Sequence, residues 1–272
     1  MPAECDPLEL RRFAVELARL GGENADRLFG KVSVTRKEDQ SPVTEADHVA
    51  QRVILKALAE RYPDHAVLVE EVVHEPECHA RLSESTYCWV IDPIDGTRNF
   101  ARGSRLFATS VAVLQRGSPV AGAIYDVGSC SIYSASREGG ATLDGMPLHV
   151  SNHAAGPDTI IAVGSFRRQS MPSAVRGWME RYHMRNQGVT CLHFAAVAAG
   201  LVDAAFSIDC KLWDVAAAAL LIEEAGGLFT DDRGNPPWPM ALDRYTGQSL
   251  QVLAAGPDIH RTLLRSFVVE PT

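Results

Sequence analysis

One short stretch constrains this chain more than any other: Trp89-Val90-Ile91-Asp92-Pro93-Ile94-Asp95-Gly96-Thr97-Arg98-Asn99-Phe100. An apolar, β-branched run reads as a buried strand, and this one ends abruptly on a carboxylate, Pro, a second carboxylate and Gly. A strand that stops this way delivers its acids to one end of a sheet, where loops gather ligands. Asp92 and Asp95 are close enough that either a pKa rises or a cation sits between them.

The neighbouring segments repeat the theme. Leu10, Phe13, Ala14, Leu17 and Ala18 recur at helical spacing, so the chain opens on an amphipathic helix from about Leu8 to Leu28. Thr44-x-x-Asp47 before Val49, Val53 and Ala57 has the form of a capped helix start, and a carboxylate in that first turn can also face a nearby site. A second short strand, Ala66 to Val69, again runs straight into acids, Glu70 and Glu71; as a neighbour of the first it would bring its acids to the same edge. His74 to Glu84 reads as a polar loop or short helix. Leu106 to Leu114, Val120 to Tyr125 and Ser131 to Ser134 predict an antiparallel meander, with Asp144-Gly145 as a hairpin turn. After a polar, small-residue boundary near Ser151 to Pro157, strands and helices alternate: strands at 159–163, 204–208 and 251–255, helices at 173–182, 191–200, 213–225 and 257–267. The expected division is an N-terminal α+β half, 1–150, and a C-terminal α/β half, 151–272, packed as one unit.

Composition excludes several functions. A net charge of −8 and a pI near 5.6 leave no basic footprint for nucleic acid. The longest apolar run, Val215 to Ile222, is far short of a membrane span, and the polar, acidic start does not resemble a signal peptide. Cys5, Cys78, Cys88, Cys130, Cys191 and Cys210 show no CxxC or finger spacing and read as reduced thiols of a cytoplasmic protein.

Trp213-Asp214-Val215-Ala216-Ala217 adds a lone acid in the first turn of an apolar helix closed by Gly226-Gly227. With Glu70, Asp92 and Asp95 it makes an oxygen-ligand set suited to a hard divalent cation. Asp92-Pro93-Ile94-Asp95-Gly96-Thr97-Arg98-Asn99-Phe100 resembles the signature of the inositol monophosphatase family, the Mg²⁺-dependent, lithium-sensitive phosphatases. Trp213 to Ala217, running on to Glu224-Ala225-Gly226-Gly227, resembles that family's second signature. Ser41 to Asp47 and Val69-Glu70-Glu71 fit its two earlier motifs, in order.

The resemblance implies an α/β fold of five layers, an αβαβα sandwich, commonly a homodimer. It implies Mg²⁺ as cofactor, two to three ions per site. Glu70, Asp92 and the carbonyl of Ile94 would hold the first ion, Asp92, Asp95 and Asp214 the second, and Glu70 would serve a weaker third. Asp47 and Thr97, with Glu70, are the implied catalytic residues, and Gly96 and Thr97 would present amides to the phosphate. The implied partner is a small phosphorylated metabolite, an inositol monophosphate or a related sugar or polyol phosphate, with no nucleic acid and no membrane.

Histidinol phosphate, fructose 1,6-bisphosphate and 3′-phosphoadenosine 5′-phosphate remain alternative substrates. A regulatory binding protein that keeps the fold is the alternative from another class. Substrate-binding candidates beyond Asp95, Gly96 and Thr97 are Ser165, Gly188, Thr190, Ser207 and Lys211. Ser207 stands where inositol-phosphate enzymes carry a hydroxyl-binding glutamate, and Asp209 or Thr190 could compensate. Arg167 and Arg168 could meet a second anionic group, and His193 reads as a packed histidine.

Overall fold

The computed structural model describes residues 4–31, 34–36, 42–70, 81–82, 84–165 and 171–268. Helix α1 (Pro7–Arg27) is capped by Asp6, whose side chain accepts the Leu8 amide. A two-stranded hairpin, β1 (Val34–Arg36) and β2 (Pro42–Thr44), leads into helix α2 (Glu45–Arg61). The Thr44/Asp47 capping box expected from the sequence is formed. Strands β3 (Ala66–Val69) and β4 (Tyr87–Asp95) are parallel neighbours, in register from Ala66 opposite Cys88 to Val69 opposite Ile91. That register puts Glu70 beside the end of β4. Of the polar stretch read as a loop or short helix, 74–84, residues 74–80 and 83 lie outside the described residues.

The one-turn helix α3 (Thr97–Ala101) follows directly. The meander then appears as β5 (Ala108–Gln115), β6 (Ser118–Asp126), β7 (Ser131–Ser136), β8 (Ala141–Leu143) and β9 (Met146–Pro147). Asp144 and Gly145 both have positive φ, which is the turn their sequence predicts between β8 and β9. Strands β3 to β9 form one seven-stranded sheet in chain order.

The remaining elements are β10 (Ile160–Val163), α4 (Ser173–Met179), β11 (His183–Arg185), α5 (Thr190–Ala198), β12 (Ala204–Cys210), α6 (Leu212–Glu224), β13 (Leu228–Thr230), β14 (Leu250–Ala255) and α7 (Pro257–Val268). Their strands make a five-stranded mixed sheet in the order β11-β10-β12-β14-β13. The three-residue strands β1, β2, β11 and β13 are absent from the sequence reading, being too short to show a period of two.

The two sheets and the helices stack as five layers, α1/α2, large sheet, α5/α6, small sheet, α4/α7. Alternation along β4 builds the first two interfaces: Tyr87, Trp89 and Ile91 pack under α1 and α2, while Cys88 and Val90 face the middle helices. Helix α6 touches both sheets, which is why its run Ala216–Ala219 is small and wholly buried. At the closest approach a Cβ on Gly122 of β6 would sit 3.0 Å from the Ala217 Cα, so glycine at that strand position gives α6 its close seat.

Candidate active site

Strand β4 reaches the site through a distortion. Its pairing with β5 sets Asp92 opposite Ser110 and Asp95 opposite Ala108, so β4 carries one extra residue there, a β-bulge holding Pro93. Three residues apart on a regular strand, the two acids would point to opposite faces; the bulge returns Asp95 to the side of Asp92. Thr109 Oγ1 donates to the Pro93 carbonyl at 2.7 Å, and the Ile94 amide donates to Asp92 Oδ1 at 3.0 Å. Gly96 follows at φ +95°, a conformation that favours glycine.

The other acids arrive on helix starts. Asp214 occupies the first turn of α6 and accepts the Lys211 amide at 2.7 Å. The Leu212 amide donates to Tyr245 Oη at 2.8 Å, and Lys211 Nζ donates to the Gly247 carbonyl at 2.6 Å and to Ser249 Oγ at 3.2 Å. The loop at 245–249 therefore holds the start of α6, a role the sequence reading missed because it depends on contacts more than thirty residues away. Asp95 accepts the Cys191 amide at the first turn of α5, supplying a cap that Val189 cannot.

Asp92 and Asp95 are buried and Asp214 is half-buried. Desolvation first, then Glu70, Asp95, Asp214 and Asp47, holds Asp92 well above the usual carboxylate range. Asp214 is raised by desolvation and then by Asp95, and lines the same cavity wall as Asp92. Carboxylates that raise one another in this way are relieved by a shared proton or a cation. Among the described residues no set of three His, Cys, Asp or Glu groups closes on one point as a finished metal cage. Asp92, Asp95 and Asp214 each accept a backbone amide. A carboxylate has about four lone-pair sites, so one amide leaves most of its acceptor capacity. Oxygen donors, low dielectric and mutual repulsion fit a hard divalent cation.

Thr97 Oγ1 lies 2.9 Å from the Ile94 carbonyl and 3.3 Å from Asp47 Oδ1. The other oxygen of Asp47, Oδ2, receives both the Thr44 amide and the Thr44 hydroxyl, so its helix-start role and its contact with Thr97 coexist. Burial raises the Asp47 pKa.

A cavity of about 820 Å³ opens over these groups and is lined by Glu70, Asp92, Asp95, Thr97, Asp209 and Asp214 among others. Ile94, Gly96, Ser165, Gly188, Thr190 and Lys211 also line it. Ser207 is buried beneath Gly164, while Asp209 is exposed. Arg167 and Arg168 lie outside the described residues. Asn99, which the sequence reading assigned no role, bridges two distant segments by donating to the Leu106 carbonyl at 2.9 Å and the Gln187 carbonyl at 2.8 Å.

His193 is buried, with Nε2 accepting the Gln187 amide at 2.8 Å, and burial lowers its pKa to about 4. An unfolded chain takes up a proton near pH 6.5 that the native imidazole refuses. The stabilisation is complete above pH 6.5 and lost as pH falls toward about 4, worth about 3 kcal/mol. Denaturant midpoints measured across that window should show this acid loss in the unchanged protein and a smaller one in His193→Gln. Equal slopes would sink the assignment.

The chain matches the Inositol monophosphatase family over residues 6–270. It is 33% identical over 272 residues to an inositol-1-monophosphatase of Mesorhizobium japonicum, covering 94% of this chain and 95% of that one. It is also 33% identical over 234 residues to the Nus factor SuhB of Pseudomonas aeruginosa, covering 82% and 85%. Among solved structures, the Thermotoga maritima IMPase superposes with a TM-score of 0.83 at 27% identity, covering 96% of this chain and 97% of that one. No described helix is long and apolar enough to cross a membrane.

Proposed function

Because the chain belongs to the inositol monophosphatase family, we propose that it is a Mg²⁺-dependent phosphomonoesterase acting on a small phosphorylated alcohol, an inositol monophosphate or a related sugar or polyol phosphate. The observation that carries this reading is the convergence of four carboxylates, Glu70, Asp92, Asp95 and Asp214, on the wall of one cavity. Glu70, Asp92, Asp95, Asp214 and the Ile94 carbonyl would hold the metal. Bound Mg²⁺ supplies charge neutralisation of the ester and acidification of water.

The remaining steps belong to the chain's own groups. Thr97 Oγ1 aims the attacking water and accepts its proton while passing its own to Asp47. The raised pKa of Asp47 suits it to take that proton. Gly96 and Thr97 amides orient the phosphate at the start of α3. The division into halves at 1–150 and 151–272, a cytoplasmic homodimer and lithium sensitivity go with the same proposal.

Initial rates on a panel of phosphomonoesters test it: a polyol phosphate, histidinol phosphate, fructose 1,6-bisphosphate and 3′-phosphoadenosine 5′-phosphate. Hydrolysis should require Mg²⁺ and vanish with chelator; no hydrolysis of any ester at millimolar Mg²⁺ would sink the enzyme reading. A second reading, a regulatory binding protein on the same fold, is favoured by relatives named Nus factor SuhB. A role that survives in a protein without turnover belongs to that second reading.

A further inference from the structure

Asp209 has no assigned work in the chemistry above. Strand β12 pairs with β14 through a second irregularity, with Ser207 opposite Val252 but Cys210 opposite Leu250, so one extra residue is accommodated between them. Asp209 lies in that bulge, exposed and lining the cavity, whereas Ser207 is buried. Among the described residues Asp209 makes no ion pair, and its side chain receives one long hydrogen bond, from Ser207 Oγ at 3.4 Å. Gly164 leaves room beside it: a Cβ there would stand 3.1 Å from Ser207 Oγ and 3.8 Å from Asp209 Oδ1. The same cavity carries Ser165 and Asn186, linked at 3.3 Å from Asn186 Nδ2 to Ser165 Oγ.

We infer that Asp209 determines substrate choice by accepting hydroxyl hydrogens from a polyhydroxylated alcohol, an inference that rests on the phosphatase reading. A carboxylate with unused acceptors beside neutral Ser and Asn groups matches several hydroxyls in different directions. An ammonium group could also meet Asp209, but the cavity carries Lys211 and Arg98 as well, and Lys211 Nζ is tied in place by Gly247 and Ser249. These cations disfavour an amino alcohol and leave a polyol untouched. A volume of about 820 Å³ accommodates a sugar-sized ester.

The test compares kcat/KM for myo-inositol 1-phosphate, phosphoethanolamine and phenyl phosphate, with Mg²⁺, in the unchanged protein, Asp209→Asn and Asp209→Ala. Asp209→Ala should lower the preference for the polyol ester over phenyl phosphate about tenfold or more, carried mainly by KM. Asp209→Asn, which keeps one acceptor oxygen, should retain part of that preference. An unchanged ratio in Asp209→Ala, or a loss confined to phosphoethanolamine, overturns the inference while leaving the phosphatase intact. Calorimetric binding of the inositol ester is measured in parallel. If the unchanged protein hydrolyses nothing, weaker binding in Asp209→Ala still supports this role for Asp209, and equal binding overturns it.

Discussion

Replacing Asp214 by Asn is expected to cut turnover of phosphomonoesters on the order of 10³-fold or more without weakening the metal-free fold. Asn is isosteric and retains a side-chain acceptor for the Lys211 amide, so the start of α6 keeps its hydrogen bond. What disappears is one negative charge on the cavity wall that Asp92 also lines. Loss of a charged ligand removes several kcal/mol of transition-state stabilisation, which is the rate factor quoted. The repulsion it relieves works against folding, so the denaturant midpoint in chelator should stay level or rise. The measurements are kcat at saturating Mg²⁺ and the midpoint without metal. Turnover within tenfold of the unchanged protein would remove Asp214 from the metal site, and a lowered midpoint would make it a structural acid. Asp95→Asn is a different experiment, because Asp95 also caps α5 and receives the Cys191 amide.

The second large effect is structural. Gly96→Ala should destabilise the protein by about 2–4 kcal/mol and lower turnover with it. At φ +95° a side chain is strained, and the new Cβ would stand 2.9 Å from the Leu106 carbonyl oxygen and 2.9 Å from Val189 Cγ2. Relief requires moving either the β4–α3 turn, which carries Asp95 and Thr97, or both the backbone at Leu106 and the segment that starts α5. Denaturant midpoints and kcat report the two consequences separately. An unfolding free energy within about 0.5 kcal/mol of the unchanged protein would mean that the turn relaxes freely.

Much of the layer plan was legible locally. The Leu10/Phe13/Leu17 spacing gives α1, the Thr44-x-x-Asp47 pattern gives the start of α2, and Asp144-Gly145 gives the β8–β9 turn. Each rests on contacts within one element, where periodicity and cap chemistry act. The short strands β11 and β13 were not legible, because three residues carry no pattern and depend on neighbours for their pairing. The sequence left open whether β3 and β4 are neighbours; they pair in parallel, and this brings Glu70 to Asp92.

The sequence by itself determined the chemistry of the cluster: buried strand ends and a helix start whose only distinctive groups are carboxylates, in an order that resembles one family. Tertiary structure decided which groups face one another. A bulge opposite β5 turns Asp95 to the side of Asp92, and a second opposite β14 leaves Asp209 rather than Ser207 exposed in the cavity. A bulge is a mismatch between two paired strands, so neither partner's sequence alone contains it. The positions of Asp95 and Asp209, and with them the reading of the substrate, therefore emerge only when the sheets are assembled.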